Sequence, residues 1–192
     1  MRIRQCSLII AVLAALGLLQ GIANPTYSYA QVLSVRDADM QLMRGVEDQA
    51  HIALEILGGL NETDSPQVVV DRIDRYLSKA QHSGELPYND WHEFYAPFGA
   101  LWGEQIGRQY GWKWVNIWLD ENEGAPRYAV VSPDNSMVIY PFMHLRACIT
   151  EGATVSISRV FEVVGSEHRK FEFPSGSYTD LLASPAHLLL SK

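Results

Sequence analysis

The chain is short of cysteine, of clustered positive charge and of long apolar runs, and each shortage excludes a class of protein. Among 192 residues only Cys6 and Cys148 are cysteines. A disulfide-stapled scaffold is therefore excluded, and stability must come from a packed core. Fifteen Lys and Arg stand against twenty-two Asp and Glu, for a net charge of −7. The basic residues do not cluster, so a nucleic-acid partner has no electrostatic footprint to meet. No Gly-x-Ser-x-Gly elbow, phosphate loop or dinucleotide fingerprint occurs. His92-Glu93 begins like a zinc-protease motif, but the position of its second histidine holds Ala96. No metal or cofactor is expected, and no complete catalytic set is found.

What is present is an ordinary globular composition, 47% apolar and 19% charged, in a length that suits one medium domain. The N-terminus has the anatomy of a signal peptide. Arg2 and Arg4 precede an apolar run at 7–19, and Ser28 and Ala30 offer small residues for cleavage after Ala30, with a second candidate site after Ala23. The apolar run is short for a membrane span. The expected organisation is a signal peptide at 1–30, a helical N-terminal region at 31–86 and an α+β domain at 87–192. The mature chain would lack a membrane span and keep Cys148 as its single thiol.

After the signal, Ser34-Val35-Arg36-Asp37 resembles a capping box. Met43, Val46, Ala50, Ala53, Leu54 and Leu57 follow at helical spacing until Gly58-Gly59. A second helix opens at Pro66 behind Ser65, carries Val69, Ile73, Tyr76, Leu77 and Ala80, and ends near Ser83-Gly84. Asp90 to Glu93 offers another start, and Pro97 should kink or restart the helix that follows.

Residues 99–120 form the most informative stretch. Gly99, Gly103 and Gly107 recur every four residues, leaving a bare stripe where a neighbour can approach a helix closely. Charges on the same helix exclude a membrane dimer, so the stripe predicts packing of helix on sheet. Gly111 is placed to end the helix. Trp112, Trp114 and Trp118 then alternate with Val115, Ile117 and Leu119 across one strand. Residues 127–131 and 137–140, with Pro133-Asp134-Asn135-Ser136 between them, extend it into an antiparallel meander. A short helix near 142–149 follows, with candidate strands at 155–164 and 171–173. Leu188 to Leu190 would dock on the core. The predicted fold is α+β: N-terminal amphipathic helices, and a glycine-striped helix packed on an antiparallel sheet of three to five strands.

The striped helix, Gly-Trp-x-Trp, the run YAVVSPDNSMVIYPF and the short helix after it resemble the bacterial family called domain of unknown function 3806, over residues 99–142. The resemblance implies a fold and supplies no catalytic residue.

Three places could hold chemistry. His144 and Cys148 lie four apart on a helix, within reach of each other, as a thiol nucleophile and its base would be. Cys148 equally reads as a small buried hydrophobe. Asp120, Glu121, Asn122 and Glu123 crowd one turn, but Gly124 and Ala125 break the pattern of a calcium loop. Trp112, Trp114 and Trp118, with Tyr128 and Tyr140 on neighbouring strands, could form an aromatic platform for a sugar, peptide or partner; a covering helix would instead make them core. The leading expectation is an exported, non-catalytic binding or interaction protein, periplasmic or secreted. It would meet an unknown protein or small ligand of the envelope through those aromatics. The alternatives are a small exported hydrolase using His144 and Cys148 or carboxylates, and a structural module of an envelope assembly.

Overall fold

A computed structural model describes residues 34–61, 63–83, 95–118, 125–150, 156–165 and 173–182, with the backbone alone at 149 and 150. The signal segment, His92-Glu93, the acidic turn at 120–123 and Leu188 to Leu190 lie outside them. In chain order the elements are β1 (Ser34–Asp37), α1 (Met40–Leu57), α2 (Pro66–Ser83), α3 (Ala96–Tyr110), β2 (Lys113–Trp118), β3 (Arg127–Val131), β4 (Met137–Ile139), α4 (Pro141–Thr150), α5 (Ile157–Gly165) and β5 (Thr179–Asp180).

The class is α+β. The five strands lie in the sheet in chain order. β1, β2, β3 and β4 pair antiparallel, and β5 adds itself parallel to β4. The sheet is therefore mixed at its last edge, where wholly antiparallel pairing was expected.

Local chemistry explains most boundaries. The Asp39 carboxylate caps α1 by accepting from the Leu42 N–H at 2.8 Å, and Gly58, at φ 60°, ends it. α2 begins at Pro66, whose missing N–H would have had no helical partner. Pro97 sits in the first turn of α3, where its missing N–H has no helical partner to lose. Gly111 closes α3 at φ 71°, a left-handed conformation that suits glycine.

Three expectations are corrected. Ser34 to Asp37 is no capping box; Asp39 takes the cap, and the four residues pair along β2 as an edge strand. Residues 157–165 form a helix in place of the expected strand, because Ile157, Val160, Phe161 and Val164 are buried at helical spacing. Phe173 is not in a strand. The fifth strand is Thr179–Asp180, bound to the β4 segment through Thr179 N–H to Ser136 O and Leu181 N–H to Val138 O.

α3 lies at the centre of one core that also draws on α1, α2, α4, α5 and the Trp112–Trp114 face of β2. The opposite sheet face buries Val115, Ile117, Ala129, Val131, Val138 and Tyr140, with Val35 and Tyr178 against them. The alternation along β2 thus separates two buried layers. α1 packs chiefly on α3, not on the sheet.

Candidate functional site

The glycine stripe of α3 sets the site's floor. A Cβ at Gly99 would come within 2.6 Å of the Phe142 ring, one at Gly107 within 3.0 Å of the Trp112 carbonyl, and one at Gly103 would fall inside the Trp114 ring's contact shell. Only glycine lets the indole lie flush against the helix. The Trp114 ring then stacks on Phe142 at 5.5 Å between centroids, and Trp112 and Trp114 are 5% and 7% exposed.

The five candidate aromatics do not form one exposed platform. Trp112 and Trp114 are drawn under α3, because burying a large apolar side chain gains about 1.5–3 kcal/mol. Trp118 is half-buried, with the Arg36 guanidinium 5.0 Å over its ring. Tyr140 belongs to the opposite sheet face. Tyr128 alone stays exposed, at 44%.

Because α1 rests on α3 and stands off the sheet, space opens along both of its flanks. On one flank is a cleft of about 950 Å³, walled by Met43, Glu47, Asp48, His51 and Leu54 of α1, by Gly103, Glu104, Gln105 and Arg108 of α3, and by Lys113 and the two tryptophans. Its polar groups are largely mutually engaged. Arg108 donates to Gln105 Oε1 at 2.8 Å and to the Asp64 carbonyl at 3.0 Å, and Lys113 meets Asp37 at 2.6 Å. The Trp114 indole N–H, however, is buried with no acceptor. On the other flank a cavity of about 470 Å³ is walled by Leu42, Gly45, Val46 and Gln49 of α1 and by Asn116, Tyr128 and Phe142. Asn116 is 8% exposed, and its Oδ1, like Gln49 Oε1, has no hydrogen-bond donor.

No protein-family model, curated protein or solved structure matches the chain. Function must be read from these side chains.

The thiol pair has the proximity expected of it, with Cys148 Sγ 3.5 Å from His144 Nε2. Cys148 is buried, and the His144 ring lies 5.5 Å from that of Trp102. Among the described residues, no three His, Cys, Asp or Glu gather as a metal site, and no helix is long and apolar enough to cross a membrane.

Perturbed carboxylates lie away from both spaces. Asp134 is held down to about 2 by the Ser132 hydroxyl and by the Ser136 N–H and hydroxyl, which fasten the β3–β4 turn. Burial raises Asp74, although it accepts from the Ile157 and Ser158 N–H groups at the start of α5. Burial, with Glu162 second, raises Tyr110, whose hydroxyl donates to the Phe161 carbonyl.

Sequence reasoning missed Asn116, Gln49 and Gly45. The available signal was Asn116, one polar residue on the tryptophan-bearing face of β2.

Proposed function

We propose that the protein is an exported, non-catalytic binding protein whose ligand lies in the cleft between α1 and α3, over Trp112 and Trp114. The observation that carries this reading is the buried, unpartnered N–H of Trp114, a residue that lines an open space of about 950 Å³. A buried donor without an acceptor costs about 1–3 kcal/mol, and a ligand bringing a carbonyl or hydroxyl oxygen removes that cost. The volume falls in the range of small-molecule sites. Apolar Met43 and Leu54 beside Glu47, Asp48 and Glu104 suit a polar ligand with one apolar face, such as a sugar or a short peptide, and disfavour an anion. Export is supported by the N-terminal charge and apolar pattern, and kinship with domain of unknown function 3806 by the motifs of residues 99–142.

The test uses Trp114→Phe, which keeps a ring against Gly103 and deletes the N–H. Envelope sugar and peptide fractions are titrated into the full chain while tryptophan fluorescence is followed. The ligand found should bind the variant about tenfold more weakly, the loss of one hydrogen bond. Equal affinity would remove the cleft from consideration.

A second reading, a small exported hydrolase, rests on the 3.5 Å approach of Cys148 Sγ to His144 Nε2. Burial of Cys148 weighs against it. Full biological activity of Cys148→Ser in a deletion strain would end it.

A further inference from the structure

The cavity on the other flank of α1 carries polar groups of the opposite kind. Asn116 is more than nine-tenths buried there and its Oδ1 has no donor; Gln49, half-buried on α1, also has an occluded Oε1 with no donor. Asn116 and Tyr128 are directly opposite across β2 and β3, so their side chains are neighbours on one face. Tyr128 in turn meets Phe142 edge to face, with centroids 6.5 Å apart. An orphaned carbonyl oxygen beside two aromatic rings is the equipment that recognises an organic cation, through one hydrogen bond and the negative ring faces. Arg36 pairs with Asn116 on its other side, but its guanidinium is held over Trp118. The described cavity wall carries Asp39 and no Lys or Arg. Gly45 leaves the α1 side open, since a Cβ there would meet nothing within 4 Å.

We propose that this cavity is a second binding site, taking a small primary amine in its ammonium form, with the nitrogen donating to Asn116 beside the Tyr128 and Phe142 rings. The site lies on the flank of α1 opposite the tryptophan cleft, and the proposal stands without that reading.

Calorimetric titration of the full chain near neutral pH tests the assignment with three probes of one shape: 2-phenylethylammonium, 2-phenylethanol and 3-phenylpropionate. The ammonium should bind at least tenfold more tightly than the alcohol, and the carboxylate more weakly than either. Asn116→Leu, of similar size without the acceptor, should weaken ammonium binding tenfold or more. Gly45→Leu should also weaken it by obstructing the space from an exposed helix position, and decides alone should Asn116→Leu fail to fold. The proposal is overturned if the alcohol matches the ammonium, or if Gly45→Leu binds the ammonium as wild type does.

Discussion

Two helices lie on the same side of the sheet and treat their glycines in opposite ways. α3 is seated: Gly99, Gly103 and Gly107 are met by the Phe142 ring, the Trp114 ring and the Trp112 carbonyl. α1 stands off: a Cβ at Gly45 would touch nothing within 4 Å, and the helix has open space on both flanks. A glycine inside a helix costs about 1 kcal/mol relative to alanine. On α3 the cost is offset by the indole that fills the notch. On α1 no packing offsets it, and the backbone's openness becomes part of a cavity wall. One residue type thus marks a closed seam in one place and a vacancy in another. Buried polar atoms without a partner follow the same division, since Trp114 lines one space and Asn116 and Gln49 line the other.

The largest expected effect breaks the seated side. Gly103→Ala puts a methyl group into the Trp114 ring, and overpacking of that kind costs about 1–3 kcal/mol. The gain in helix propensity returns up to about 1 kcal/mol, so a net loss of up to about 2 kcal/mol is expected in urea unfolding. An unchanged midpoint would mean that the seam is loose. The next effect has the opposite sign. Without ligand, Asn116→Leu removes a buried acceptor that has no donor and should raise stability by about 1–2 kcal/mol. A loss of stability would show that the Asn116 oxygen is satisfied in solution. Gly45→Ala should raise stability by about 1 kcal/mol or less. If it destabilises as Gly103→Ala does, α1 is seated too and the contrast fails.

The seated side was legible in the sequence and the vacant side was not, for a physical reason. The four-residue glycine spacing, Gly111 and the alternation along β2 are local patterns, and each specifies a face or an end by geometry that reaches only a few residues. The same holds for Pro66 and for the Gly58 cap. β1 escaped because Ser-Val-Arg-Asp has one apolar residue and mimics a cap, while its identity as a strand depends on the distant edge of β2. α5 was misread because Val and Ile favour strands, although burial at 157, 160, 161 and 164 follows the helical period. β5 is two residues long and exists through backbone bonds to the β4 segment. Of the candidate site, the buried tryptophan pair could be placed on a face. The spaces beside α1 depend on how far that helix stands from the sheet, which no local period encodes.

The smallest effect lies in a third kind of closure, polar and responsive to pH, at the β3–β4 turn. Asp134 accepts from the Ser132 hydroxyl at 2.6 Å and from the Ser136 hydroxyl and N–H at 2.8 and 3.1 Å. Its backbone carbonyl also receives the Gly176 N–H and the Ser175 hydroxyl from the segment leading to β5. These bonds hold its carboxyl at about 2 against an ordinary 3.8. Because the folded value is depressed, the folded chain binds fewer protons than the unfolded chain between the two values, and stability falls as the medium is acidified through that window. The contribution is complete above about pH 4 and gone near pH 2. Asp134→Asn keeps an acceptor and removes the titration. Its deficit against wild type should be about 1 kcal/mol or less at neutral pH, since the turn is exposed, and should shrink toward zero as pH falls from 4 to 2. Urea midpoints of the two proteins, taken as differences, measure this cleanly, because the raised Asp74 contributes equally to both and with the opposite sign. Gly103→Ala compared in the same way should show a deficit that does not change with pH, since a ring against a helix backbone exchanges no proton. A deficit at Asp134 that persists at pH 2 would mean that the loss does not come from the ionised carboxylate, and no deficit at neutral pH would mean that the turn is held by its serines and backbone alone.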